Sequence, residues 1–258
     1  CYQFPTRTIT DSCRDDIILI DKIIGAGEIA ISDHRSSNPL DHDIENLASE
    51  CRVGGLLSGK AGILHIHVGD DPEGIKPLFR LANRSQILLQ NILPTHLNRK
   101  MPLLYEGMKY LKKGGIIDIT SGIFQTEFDT DPIDASYAFK YLLENKCPKE
   151  NITISSDSNG SMPIFQNGIL KSITAGSINT NFIEFKKLVQ LYNFPIETAL
   201  LPFTENPARI LKFNNLGSIE INKQADILIL NKDLTIYCVI CKGKVLLMNG
   251  KFFTKSFF

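Results

Sequence analysis

The sequence predicts an α/β protein with parallel strands. Three observations carry that expectation: β-branched runs alternate with stretches of helical periodicity, several of those runs end in chemically useful polar side chains, and after Gly217 the alternation gives way to short strands separated by Asn, Lys and Gly.

Taken in order, the first strand is predicted over Glu28–Ser32. A helix follows Asn38-Pro39, with Leu40, Ile44, Leu47, Ala48 and Cys51 at helical spacing. The run GILHIHV reads as the second strand, followed by a helix from Pro72 to about Asn83 and a third apolar run, ILLQNILPTH. A helix from Pro102 to Lys113 stops at Gly114-Gly115, where both glycines break helical periodicity. IIDIT is the fourth strand, Pro132 to Asn145 the next helix, and NITISSD the fifth strand. Helical stretches over 179–192, 196–201 and 206–213 then lead to SIEI, ADILIL, TIYCVIC and KVLLM, a set of short strands expected to pack as a small β layer. Five βα units fall short of a closed eight-stranded barrel, so the expectation is the C-terminal part of a (β/α)8 TIM barrel over residues 1–215, about strands 4–8, with a β segment over 216–258. The chain begins at Cys1, and it is expected to be a piece cut from something longer.

Composition narrows the function. Lys plus Arg and Asp plus Glu both number 28, so no basic excess points to nucleic acid. No apolar run approaches the ~20 residues of a membrane span, and no secretory signal opens the chain, which makes the cytoplasm the expected location and a small molecule the expected partner. Six scattered cysteines lack the density of a disulfide scaffold and are expected to be reduced. Cys238 and Cys241 form a CxxC, but in a strand-like run without a second CxxC or a nearby histidine, which favours packing over metal binding. The run from Gly54 to Lys60 imitates a phosphate-binding loop. Ala61 stands where Ser or Thr would hold magnesium, however, and the segment follows a helix instead of opening one, so a glycine turn is expected.

The chemistry lies in His67, His96 and Asp157, each placed where an apolar run meets a polar turn. In a parallel α/β protein that is the C-terminal end of a strand, where active sites collect. Two imidazoles and a carboxylate converging on one rim suggest a metal-assisted hydrolase. His65 shares the face of His67, which leaves open a His-x-His reading of HIH. His34 and His42 read as solvated or structural.

The runs AISDHRSS, ASECRVGGLLSGKAG, HVGD, ILPTHLNRK with PL after it, KGGIIDIT and SSDSNGS, in that order, resemble the bacterial isoaspartyl (β-aspartyl) dipeptidases of the amidohydrolase superfamily. That resemblance implies a metal-dependent barrel, a β-sandwich built from both chain ends, a binuclear zinc site, and hydrolysis of β-aspartyl dipeptides by a metal-bound hydroxide. It implies that His67 and His96 bind the second metal and that Asp157 binds metal and shuttles the proton to the leaving amine. Arg35, Arg99 and Ser161 match the groups that hold the substrate carboxylate, a task suited to guanidinium forks. Tyr2 matches the tyrosine that hydrogen-bonds the scissile carbonyl. Glu28 falls where the best-known members carry a carbamylated lysine; it offers a carboxylate on a shorter arm and is the expected bridging ligand.

The family's first-strand His-x-His lies upstream of Tyr2, so the chain is expected to be inactive alone and to form a homo-oligomer when complete. The alternatives are another amidohydrolase, dihydroorotase-like or a deacetylase, and a non-catalytic remnant of the family.

Overall fold

The computed structural model describes residues 8–33, 36, 38–84, 86–123, 131–166 and 169–253. Its first element is a short helix, α1 (Cys13–Leu19), that the periodicity did not reveal. Ser12 caps it by accepting the Asp15 amide at 3.0 Å, and Asp15 and Asp16 put negative charge in its first turn. Strand β1 (Gly25–Ile31) follows, three residues earlier than the apolar pattern places it. Helix α2 (Asp41–Ser58) starts with Asp43 accepting the Leu40 amide at 3.0 Å, and it ends at Gly59, whose φ of 71° closes the helix in the left-handed region.

The imitation phosphate loop therefore lies in the last turns of α2 and its cap. Lys60 turns its ammonium to the carbonyls of Ile17 and Ile20 at 2.6 and 2.7 Å, satisfying the C-terminal end of α1. A Cβ on Gly54 would lie 2.9 Å from the Arg14 carbonyl and 3.0 Å from Ile17 Cβ, so glycine is what lets α1 lie directly on α2.

Next come β2 (Ile63–Val68), α3 (Lys76–Arg84), β3 (Ile92–Thr95), α4 (Met101–Lys112), β4 (Ile117–Thr120), α5 (Ala135–Glu144) and β5 (Ile152–Ser155). The apolar run before His96 divides, since Gln86–Asn91 forms a 3-10 turn and only its last residues join the sheet. β1, β2 and β3 pair in parallel in that order, and β4 pairs β5 in parallel. Their centres are buried on both faces, as helical crossovers require. Ile17, Leu64, Ile66, Leu104, Ile117 and Phe139 share one continuous core between the sheets and the helices. Parallel strands with helices between them fit part of a barrel.

No backbone ladder joins β3 to β4 among the described residues. Side chains stitch that seam instead. Thr95 donates to Asp118 at 2.6 Å, and Asn98 both donates to the Thr120 carbonyl and accepts the Thr120 amide, each at 2.9 Å. Asp118 also accepts from Thr153 and Ser155 at 2.6 Å each, so one buried carboxylate ties β3, β4 and β5 together.

An antiparallel hairpin, β6 (Ser161–Gln166) and β7 (Ile169–Ala175), rises after β5, followed by α6 (Thr180–Gln190), α7 (Ile196–Leu200) and α8 (Glu205–Ile210). The chain closes with β8 (Ile227–Leu230), β9 (Ile236–Cys241), β10 (Lys244–Met248) and β11 (Lys251–Phe252), one antiparallel sheet in the order β11-β10-β9-β8. The strand expected at SIEI does not form. Ile219 and Ile221 are 84% and 93% exposed, and no strand pairs with them among the described residues. Cys238 is buried and Cys241 exposed, on opposite faces of β9, in keeping with packing over ligation.

Candidate metal centre

Three of the residues singled out in the sequence meet at the C-terminal ends of the parallel strands. His67 is the penultimate residue of β2, His96 directly follows β3, and Glu28 comes from β1. The β1–β2 register slips between Ala26 and Ile29, so that Gly27 and Glu28 share the space opposite His65. A bulge of this kind re-aims a side chain. A Cβ on Gly27 would sit 2.6 Å from His65 Cβ, which keeps that position for glycine. His96 adopts a φ of 66° and Asp157 one of 48°, left-handed conformations that non-glycine residues adopt seldom and that cluster at functional sites.

Glu28 Oε2 lies 3.6 Å from His67 Nδ1, and Glu28 Oε1 lies 3.5 Å from His96 Nε2. One ligand atom from each residue falls within 4.8 Å of the others, a spacing that a single metal ion can bridge. The imidazoles meet edge to face with centroids 4.5 Å apart.

The other nitrogen of each ring is held from behind. His67 Nε2 is 2.9 Å from Asp33 Oδ2, and a carboxylate only accepts, so the proton sits on Nε2 and the Nδ1 lone pair looks toward Glu28. His96 Nδ1 is 2.7 Å from Thr120 Oγ1; with its proton on that bond, Nε2 is left facing Glu28. In their neutral forms both rings thus offer lone pairs to the same point. The donor set of two neutral imidazoles and one carboxylate fits zinc or another borderline divalent ion.

Electrostatics act on the three groups differently. Burial would raise the Glu28 carboxyl, but the contacts with His67 and His96 outweigh it and hold the group well below the usual carboxylate range. Complete burial pushes His96 down to about 3, which keeps it neutral. Burial opposes charge on His67 as well, yet Asp33 and then Glu28 carry it above the ordinary imidazole value, so metal binding there would release a proton from its Nδ1.

Asp157 follows β5 and is not part of this three-ligand cluster. The residue as a whole is exposed, but its carboxyl tip is enclosed enough that desolvation, followed by the charge of Glu28, moves it upward. Arg99 stands at the rim, its Nε donating to the Val68 carbonyl at 3.0 Å. Ser161 opens β6 opposite Ala175, while the surroundings of its side chain lie outside the described residues, as do Tyr2 and Arg35 altogether. His65 takes no part in the cluster, and His42 bonds Asn46 on an exposed helix face at 3.1 Å.

Asp33, Thr120, Asn98 and Asp118 were missed in the sequence. A signal was present for two of them, since Asp118 and Thr120 occupy alternate positions of IIDIT and so share one face of a strand whose neighbours are apolar. A recess lined by Arg52, Ala61, Ile63, Asn91, Ile116 and Arg209 lies at the opposite, N-terminal ends of the strands, the end that serves stability in parallel barrels.

Comparison with known proteins points to one family. The sequence profile of the amidohydrolase family matches residues 134–246. The chain is similar to a β-aspartyl dipeptidase from Fervidobacterium islandicum AW-1 solved with β-Asp-Leu dipeptide: 38% identity, TM-score 0.88, 99% of this chain and 67% of that one. A second structure of β-aspartyl dipeptidase from that organism gives 35% identity and a TM-score of 0.85 over 99% of this chain and 65% of the other. The chain thus spans about two thirds of the length of these relatives. An N-acetylglucosamine-6-phosphate deacetylase from Thermotoga maritima, 11% identical with a TM-score of 0.52 over 82% of this chain and 63% of its own, shares the fold.

Proposed function

Because the chain belongs to the β-aspartyl dipeptidases of the amidohydrolase superfamily, a family of peptide-bond-hydrolysing enzymes, we propose that it carries the second-metal half of a catalytic centre that hydrolyses β-aspartyl dipeptides. The observation that supports this best is the convergence of Glu28, His67 and His96, with Asp33 and Thr120 holding the two ring nitrogens that face away. In this reading residues 1–215 form the barrel part and 216–258 contribute to a β-sandwich. Glu28, His67 and His96 would hold zinc in a complete two-zinc centre, with Glu28 offering the carboxylate that a carbamylated lysine would otherwise offer.

A metal held there would supply Lewis-acid polarisation of the amide carbonyl and would make water a competent nucleophile near neutral pH. The remaining work belongs to the chain. Asp157 takes the proton from the attacking water and delivers it to the leaving amine nitrogen, and its upward-shifted carboxyl suits a group that must carry a proton for part of the cycle. Arg99, anchored on Val68, presents its guanidinium to the substrate's C-terminal carboxylate, with Arg35 and Ser161 completing that contact. Tyr2 donates to the carbonyl oxygen as it gains charge.

The test is hydrolysis of β-Asp-Leu by the zinc-loaded complete enzyme and by its Asp157→Asn variant. Loss of a proton carrier costs about 10²- to 10⁴-fold in kcat. A variant that folds, holds its zinc and turns over at the parent rate overturns the assignment.

A further inference from the structure

Two thiols lie outside this chemistry. Cys13 begins α1 and Cys51 lies within α2, far apart in sequence, yet their sulfurs are 3.6 Å apart and the residues are 6% and 0% exposed. The contact is set by packing. Gly54 brings the two helices together, and the Cys13 amide donates to Glu50 Oε2 at 3.1 Å, which fixes the start of α1 beside the residue that precedes Cys51. The gap exceeds a disulfide bond of ~2.05 Å by about 1.5 Å, a distance within reach of side-chain rotation. No disulfide joins them.

We propose that Cys13 and Cys51 are an oxidative modification site that takes a hydroperoxide and closes to a disulfide between α1 and α2. Cys13 is the attacking group. It is the less buried of the two, and the hydrogen bond from Cys51 favours its thiolate, whereas donating that bond, together with burial, pushes the Cys51 thiol up. The Cys13 sulfur attacks one peroxide oxygen and the O–O bond breaks. This gives Cys13 sulfenic acid and, once the displaced oxygen takes up a proton, one water or alcohol. The Cys51 sulfur then attacks the Cys13 sulfur, the S–O bond breaks, and a water leaves with the Cys51 proton. Two thiols lose two electrons and the peroxide gains them. The resulting ring encloses β1, and with it Glu28 and Asp33, so oxidation covalently closes the segment that supplies the carboxylate of the metal site.

The experiment treats the reduced full chain with a small excess of hydrogen peroxide and maps its peptides without reduction. The expected result is a mass loss of about 2 Da, a linked pair of peptides carrying Cys13 and Cys51, and reversal by dithiothreitol. A rise in Tm on oxidation is expected as well, since the cross-link restricts the unfolded chain. Cys13→Ala should lose both the linked peptide and the Tm rise. Cys147→Ala, at a buried cysteine elsewhere, should keep both. Recovery of both thiols free, Cys13 oxidised to sulfinic acid with Cys51 unlinked, or a link to another cysteine overturns the proposal. The parent chain decides the question even where a variant fails to fold.

Discussion

At the scale of single residues, the metal site depends on atoms that never touch the ion. Thr120 Oγ1 is the partner of His96 Nδ1, and both residues are nearly inaccessible to water. Thr120→Val preserves shape but leaves that ring nitrogen without its partner, a loss worth about 1–3 kcal/mol of stability. Freed from Thr120, the ring can place its proton on the nitrogen that faces Glu28, so zinc affinity should fall about 10- to 100-fold, as for other lost outer partners of metal ligands. Competition with a zinc chelator measures this directly, and unchanged affinity would show that Thr120 does not set the ring. Arg99→Met tests the rim in a different way. If the guanidinium clamps the substrate carboxylate, kcat/KM of the complete enzyme for β-Asp-Leu should fall by about 2–5 kcal/mol in transition-state terms, and far less for the dipeptide's C-terminal amide. Equal losses on both substrates would move the clamp elsewhere. The two histidines of the cluster were legible in the sequence because histidine is rare and stands out at a strand end, whereas Glu28 was reached only through the family resemblance. Their supports were not, because Asp33 and Thr120 acquire meaning only once β1, β2, β3 and β4 lie side by side.

At the scale of elements, the long amphipathic helices and the buried strands showed in the periodicity because burial imposes it. α1 escaped notice because it is only 7 residues long, too short for its buried residues Cys13, Asp16 and Ile17 to repeat as a visible period. Ser12 caps one end and Lys60, distant in sequence, the other. The hairpin β6–β7 was hidden as well: Ile169 and Ile173 of β7 are 70% and 62% exposed, and none of the described residues of β7 is buried, so burial imposes no visible alternation on it. Yet Asn167-Gly168 between its strands is a recognised turn signal. A prediction attaches to α1. Asp16, 7% exposed, accepts the amides of Ile9 and Thr10 and the Thr10 hydroxyl, at 2.7 to 3.1 Å. Burial opposes its charge, but those donors prevail and hold the carboxyl below its ordinary value of 3.8. A depressed carboxyl stabilises the fold above its unfolded pKa, and that contribution fades as pH falls through the folded one. Asp16→Asn should therefore cost about 1–3 kcal/mol at neutral pH, with the deficit shrinking below pH ~4. Denaturant titrations of both proteins at pH 7 and pH 3 check it, and a deficit independent of pH would mean that the charge plays no part.

At the scale of the whole molecule, the two parallel sheets meet at β3 and β4, the one place in the run from β1 to β5 where the ladder is interrupted among the described residues. The metal site straddles this seam, since His96 stands on one side and its partner Thr120 on the other. Asn98, fully buried, is the principal fastener. Its amide nitrogen donates to the carbonyls of Thr120 and Ile133 at 2.9 and 2.7 Å, and its oxygen accepts the Thr120 amide at 2.9 Å. Removing the side chain strands one buried donor and two buried acceptors, so Asn98→Ala should destabilise the protein by about 3 kcal/mol or more. The same change loosens Thr120 from behind His96, and zinc affinity should drop with stability even though Asn98 touches no ligand. Asn98→Asp separates the two effects. It keeps the acceptor for the Thr120 amide while losing both donations, so it should spare part of the zinc affinity that alanine removes. Zinc binding and unfolding measured on the two variants decide the matter. Loss of stability with zinc affinity untouched would show that the seam holds the sheets together without shaping the site.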